Sequence, residues 1–316
     1  MSLGIVAGTA NPALAEAMAA RLGTRLVPME LERYPDGEIR PSLGPMRGAD
    51  VYVVQPTGPP VNENLVELLL LLDACRRAGA DRVTAVVPYF GYARQDRRAG
   101  ARQPIGARVA AEAIASAGGG RLVVVDPHTS SLEAMFTVPV EMLTAVPGLA
   151  AALKPAIEDG AVVVAPDLGA MRLARHFASL VAAPFAVVSK HRLDAVSVSA
   201  EDVVGDVHGR PVIVVDDMIS TGATIEAAVG ALRAHGAASG PVVAAIHGLF
   251  TGGAPERIMR CGTGRLVVTD SIAPSAESSR AAPGPPSQME SIAGLLAEAV
   301  DRLHRSEPLE ELLSRS

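Results

Sequence analysis

The sequence predicts an α/β protein whose mostly parallel sheets are flanked by helices. Three observations carry that expectation. Short runs of Val, Ile, Leu and Ala recur along the 316 residues, and they are continuously apolar rather than alternating, as strands buried on both faces are. Each run ends in Gly, Pro, Asp or Thr and gives way to an Ala- and Leu-rich stretch with helical spacing. Aromatic residues make up only 3% and Trp is absent, so the core must be aliphatic.

The first run, 3–7, ends at Gly8, and Asn11-Pro12 opens a helix that reaches Leu22. The run 51–55 leads into Thr57-Gly58, and a helix follows from Asn62 to Arg77. Runs at 83–88, 122–125, 162–165, 185–188, 212–215, 242–246 and 266–269 repeat the theme. A Pro147-Gly148 pair separates two strand-helix series, giving expected domains of 1–146 and 147–316. The stretches 53–58 and 214–222 both run from an apolar strand into Thr-Gly, either a faint duplication or coincidence. Residues 273–288 are rich in Pro, Ser, Ala and Gly and read as a long surface loop. A last helix over 295–303, free to pack back on the first domain, precedes a tail over 307–316.

Composition excludes several classes. A net charge of -6 argues against a nucleic-acid partner, which needs a basic surface. Cys75 and Cys261 are too few for a disulfide framework and suit a reducing compartment. The first residues lack the basic and long apolar regions of a signal peptide, and the apolar run 65–72 is interrupted by Glu67 and too short to span a bilayer. A cytoplasmic protein without membrane or nucleic-acid partners is expected.

In parallel α/β sheets ligands bind at the carboxyl ends of strands, so chemistry is sought just after each run. The strongest signal is Val212-Ile213-Val214-Val215-Asp216-Asp217-Met218-Ile219-Ser220-Thr221-Gly222-Ala223-Thr224. Two adjacent acids at a strand end are costly unless a cation or hydroxyls meet them. The hydroxyl-rich turn at a helix start is an anion site. Together they describe a sugar-phosphate pocket; the plainer reading is an acidic helix cap. Arg94, Arg97 and Arg98 after an aromatic strand end suit a polyphosphate or are surface arginines. Tyr34-Pro35-Asp36-Gly37-Glu38 is by itself a turn. His128, two residues after Asp126, is by itself a structural histidine or a ligand. Lys190 and Arg192 precede a polar stretch that reads as a flap, and by themselves they are solvated cations.

The 212–224 segment resembles the PRPP-binding motif shared by type I phosphoribosyltransferases and ribose-phosphate pyrophosphokinases. Four more segments are similar to the pyrophosphokinases, in family order: Tyr34-Pro35-Asp36-Gly37-Glu38, the run from Pro88 through Tyr92 and Arg94-Gln95-Asp96 to Arg98, Val125-Asp126-Pro127-His128, and Pro166-Asp167-Leu168-Gly169. The resemblance implies two tandem phosphoribosyltransferase-like domains. It also implies transfer of the diphosphoryl group of ATP to the 1-hydroxyl of ribose 5-phosphate, with magnesium. ATP would be held by Tyr34, Asp36, Glu38, Arg94, Gln95 and Asp96, and magnesium by His128 and Asp167. Lys190 and Arg192 would close over the transferring group, while Asp216 and Asp217 hold ribose hydroxyls and Ser220, Thr221, Gly222, Ala223 and Thr224 hold the 5-phosphate. It further implies a dimer-based homo-oligomer, a hexamer in the family precedent. Against it stand a phosphoribosyltransferase and a synthetase-associated subunit of weak activity. Ser220 and Ala223 depart from the usual Asp and Gly; the segment after Arg98 is a residue short, and the C-terminus lacks the usual Ser-rich form. Weak or absent phosphate activation is therefore expected.

Overall fold

The computed structural model describes residues 1–191, 200–274 and 287–314. They form two compact units. The first comprises Met1–Thr144, Ser271–Ala273 and Ser291–Ser316, the second Ala145–Asp270 and Pro274–Glu290. No described helix is long and apolar enough to cross a membrane.

The first unit is built on a five-stranded sheet in the order β1-β4-β5-β6-β7, with every pair parallel. Its strands are β1 (Leu3–Ala7), β4 (Asp50–Val54), β5 (Arg82–Val87), β6 (Arg121–Val125) and β7 (Val140–Leu143). Helices α1 (Pro12–Arg21), α2 (Val61–Arg77) and α3 (Gly106–Ala117) connect them, and α8 (Ala293–Arg305), the last helix of the chain, packs on α1. Asn11 caps α1 by accepting the Leu14 N–H at 3.3 Å. All five β4 residues are buried, the signature of a strand covered on both faces. The core is aliphatic, with Val51, Val53, Leu68, Leu71, Leu72 and Ile114 fully inside, each contributing ~1.5–3 kcal/mol of burial.

An antiparallel hairpin, β2 (Met29–Arg33) and β3 (Ile39–Leu43), leaves the sheet between β1 and β4. Its strands were not expected: their mixed polar and apolar residues lack the continuous apolar run of the buried strands. At the far edge, the Thr144 N–H donates to the Leu312 carbonyl at 2.9 Å and the Ser314 N–H to the Met142 carbonyl at 2.7 Å. The tail thus covers the exposed edge of β7.

The second unit carries a seven-stranded sheet in the order β10-β9-β8-β11-β12-β13-β14. It contains α4 (Val146–Leu153), β8 (Val162–Ala165), α5 (Met171–Val181), β9 (Phe185–His191), β10 (Ala200–Val204), β11 (Val212–Ile219), α6 (Ala223–Ala234), β12 (Val242–Gly248), α7 (Ala254–Arg260), β13 (Arg265–Thr269) and β14 (Ser287–Glu290). Among its described strands only β10 runs antiparallel.

Three expectations are corrected here. The strand at 212 does not stop at Val215: pairing with β12 continues through Asp216↔Ala245 and Met218↔His247, so both acids are strand residues. The expected loop ending at Gln288 gives way to β14 from Ser287, which extends the sheet beside β13; residues 275–286 lie outside the described residues. The strand at 185 does not stop at Val188 but runs on through Lys190, paired with Glu201 of β10, and the flap expected after it falls mostly on residues 192–199, outside the described residues.

In both units a hairpin intervenes in the chain between two neighbouring parallel strands: β2–β3 between β1 and β4, and β9–β10, whose β9 itself pairs parallel with β8, between β8 and β11. The similarity of 53–58 to 214–222 thus lies on equivalent strands.

Candidate active site

The equivalent strand ends of the two units differ in one decisive respect. In the first unit, Gln55 follows four apolar residues just as Asp216 does in the second. Gln55 is fully buried and neutral. Its Oε1 accepts the Ala10 N–H at 3.1 Å, and its Nε2 donates to the Asn64 carbonyl at 3.4 Å. The Thr57 hydroxyl accepts the Gly91 N–H at 2.7 Å and donates to the Tyr89 carbonyl at 3.2 Å. Nearby, buried Glu67 accepts the Thr9 N–H and hydroxyl, each at 2.6 Å. That strand end is closed by its own chain.

In the second unit the same position holds buried Asp216, whose Oδ1 accepts the Asp217 N–H at 2.9 Å. Burial pushes its carboxyl well above the usual range; the Asp217 charge and side-chain hydrogen bond, and then the Asp167 charge, push the same way. Asp167 follows β8 and caps the next turn, its Oδ1 accepting the Gly169 N–H at 2.8 Å and the Ala170 N–H at 3.2 Å. Its Oδ2 has no protein hydrogen bond among the described residues. Two further acids thus converge on Asp216, unlike the neutral, self-satisfied copy.

β11 then delivers Ser220 and Thr221 to the start of α6. Gly222 caps that helix at φ 76° and ψ 0°, the left-handed region that favours glycine. The first intrahelical bond runs from the Glu226 N–H to the Gly222 carbonyl at 2.9 Å, so the N–H groups of Ala223, Thr224 and Ile225 precede the ladder. Thr221 and Ala223 are exposed, and Ser220, Asp217 and Thr224 half-buried. A dipole-favoured anion cradle therefore begins a few residues past the buried acid.

The first unit holds the other expected groups. Tyr34, Asp36 and Glu38 form the tip of the β2–β3 hairpin. Asp36 Oδ1 accepts the Glu38 N–H at 3.1 Å, and the Arg40 guanidinium lies 5.4 Å from the Tyr34 ring centre. Arg94 and Gln95 are exposed in the loop after β5, and Asp96 is half-buried. The Gln95 N–H donates to the Tyr92 carbonyl at 2.7 Å, and the Gln95 carbonyl accepts the Ala107 N–H at 3.3 Å, fixing the loop to α3. The hairpin tip and residues 94–96 make no hydrogen bond or ion pair with each other among the described residues. Exposed His128 follows β6, just past Asp126, whose φ of 36° turns the chain sharply. Lys190 lies on β9; Arg192 is outside the described residues.

Sequence reasoning missed Thr251, whose hydroxyl lies 3.2 Å from that of Ser220. A signal was available, since Thr251-Gly252-Gly253 follows β12 as Thr221-Gly222 follows β11.

An α/β sheet that carries two acids into a hydroxyl-lined helix start suits a phosphorylated sugar. The family model for the N-terminal domain of ribose phosphate pyrophosphokinase matches residues 3–118, and the phosphoribosyl synthetase-associated domain matches 193–314. The ribose-phosphate pyrophosphokinase of Caldanaerobacter subterraneus subsp. tengcongensis is 40% identical over 99% of this chain and 98% of its own. That of Shewanella oneidensis is 39% identical over 98% of each. The crystal structure of phosphoribosylpyrophosphate synthetase from Mycobacterium smegmatis superposes with a TM-score of 0.89 at 35% identity, covering 97% of this chain and 100% of that one. The chain belongs to the ribose-phosphate pyrophosphokinase family, ATP-dependent diphosphotransferases that make 5-phosphoribosyl 1-diphosphate.

Proposed function

We propose that this chain carries out the family's reaction with its second unit holding ribose 5-phosphate and its first unit holding the nucleotide groups. The observation that carries the assignment is the contrast between Gln55, neutral and satisfied, and Asp216, acidic, buried and crowded by Asp217 and Asp167. Ribose hydroxyls donate to Asp216 and Asp217, which relieves the mutual repulsion of the acids. The 5-phosphate sits on the turn formed by Ser220, Thr221, Gly222, Ala223 and Thr224. Arg94, Gln95 and Asp96 bind ATP together with Tyr34, Asp36 and Glu38 of a hairpin, supplied in the oligomer by a neighbouring copy.

The 1-hydroxyl attacks the β-phosphorus in line, and AMP leaves. The protein positions the reactants and meets charge spreading over the phosphoryl oxygens. Lys190 and Arg192 supply that charge. Asp167 and His128 are each candidate contacts for magnesium, which keeps its waters and takes one or two protein oxygens plus phosphates. The free Oδ2 of Asp167 is such an oxygen, and His128 acts through water or phosphate. When bound, the ion would neutralise part of the triphosphate charge.

The setting is cytoplasmic, in keeping with buried, unpaired Cys75 and Cys261. The oligomer is built from dimers; Val66, Leu70 and Val109, all exposed on the first unit, supply apolar surface for contacts between copies. Purified protein given ATP, ribose 5-phosphate and magnesium should release AMP and 5-phosphoribosyl 1-diphosphate in equal amounts. A protein that instead consumed 5-phosphoribosyl 1-diphosphate with a nucleobase would be a phosphoribosyltransferase.

A further inference from the structure

We propose that Thr251 is a positioning residue of the 5-phosphate subsite, acting through the hydroxyl of Ser220. This deepens the reading above and rests on its assignment of the 220–224 turn. The segment after β12 is bent in an unusual way. Phe250 has a φ of 47°, and Gly252 and Gly253 have 60° and 73°. Left-handed backbone is costly for a bulky residue and persists only where surrounding contacts enforce it.

Here the enforcing contacts are visible. The Phe250 ring packs against the core of the second unit. It folds so closely over Gly248 that a Cβ there would meet Phe250 Cε2 at 2.5 Å. The Leu249 and Phe250 N–H groups both donate to the Ile219 carbonyl, at 2.9 and 3.1 Å, and the Thr251 N–H donates to the Ser220 carbonyl at 3.0 Å. An added Cβ at Gly252 would stand 3.8 Å from Thr221 Cγ2. The strained turn thus presses Thr251 onto the phosphate turn, with Thr251 Oγ1 3.2 Å from Ser220 Oγ.

Two hydroxyls at that distance share one proton between them and leave the other to point elsewhere. With a phosphate on the turn, the favourable order is Thr251 O–H to Ser220 Oγ, then Ser220 O–H to a phosphate oxygen. Each bond in such a chain polarises the next. An isolated serine hydroxyl rotates among several acceptors. Thr251 fixes the rotor of Ser220 and aims its proton, with no contact of its own to the substrate required.

Steady-state kinetics on the full-length enzyme test this. Thr251→Val, which keeps the shape and loses the hydroxyl, should raise the KM for ribose 5-phosphate about three- to tenfold, the worth of one neutral hydrogen bond. The kcat and the KM for ATP should stay unchanged. Thr251→Ala should do the same, and Thr251→Ser should restore the KM. On a Ser220→Ala background, Thr251→Val should add nothing further. The inference is overturned if Thr251→Val and Thr251→Ala leave that KM alone, if Thr251→Ser is as impaired as the valine variant, or if the two losses simply add. If Ser220→Ala itself leaves the KM for ribose 5-phosphate unchanged, the assignment of the turn is wrong, and the role of Thr251 goes with it.

Discussion

Asp216 and Asp217 are tied together within the second half of β11: the Asp217 backbone N–H donates to Asp216 Oδ1 at 2.9 Å. That bond relieves only a little of what burial and the neighbouring carboxylates impose on Asp216. The pair is held at a cost in stability, as its proposed role in binding the pentose requires, and the cost can be measured.

Asp216→Asn should therefore stabilise the free protein while damaging ribose 5-phosphate use by about a hundredfold or more, since a charge aimed at the substrate is lost. The carboxyl of Asp216 is raised in the folded state, so its burial costs nothing in acid, where both states are protonated. As pH rises past the unfolded value near 3.9, the unfolded chain ionises first and folding loses stability up to the raised folded value. Melting of the two proteins in magnesium-free buffer from about pH 2.5 to 8 should show curves that coincide in acid and separate by a few degrees near neutrality, the variant being higher. A pH-independent difference would remove this account of Asp216.

Lys190→Ala should leave the protein folded, because the proposed task of this lysine is in the transition state. It should lower kcat by about 10²–10³, the effect of removing a charge aimed at the transition state. Unchanged turnover would take Lys190 out of the machinery.

Asp50 lies far in the sequence from these groups and is 1% exposed. Its Oδ2 lies 2.6 Å from Arg82 Nη2 and 2.8 Å from His304 Nδ1, and it accepts the Tyr52 hydroxyl at 3.1 Å. It ties α8 to the amino end of the first sheet. Asp50→Ala strands Arg82 and His304 and should cost about 2–3 kcal/mol in chemical denaturation, below a fully buried pair because Arg82 reaches solvent. The KM for ribose 5-phosphate should not move; a large KM change with unchanged stability would contradict a purely structural role.

The initial rate at saturating ATP and ribose 5-phosphate should respond little to added inorganic phosphate. The expectation comes from the shortened 99–102 segment and the altered C-terminus. In the structure that C-terminus has another task, covering β7 through Leu312 and Ser314. Saturable activation of severalfold would refute it.

The buried parallel strands were legible because Val-rich runs such as 51–54 and 162–165 have no other stable place in a chain this size. What was not legible followed from partners distant in sequence. β11 runs on through Asp216 and Asp217 because β12 pairs with it, although polar residues ordinarily signal a strand's end. The bridge of Leu313 to Leu143 joins the chain's end to its middle, with no local pattern to announce it. The 220–224 turn was read from its own residues, whereas Thr251 needed the strained backbone at Phe250 to bring it alongside.

The most direct test of the central claim is a crystal structure of the enzyme with ribose 5-phosphate and a non-hydrolysable ATP analogue. The account predicts the ribose 2- and 3-hydroxyls within hydrogen-bond distance of Asp216 and Asp217, and the 5-phosphate on the amides and hydroxyls of residues 220–224. A pentose bound elsewhere, with Asp216 still buried among its neighbouring acids, would contradict it.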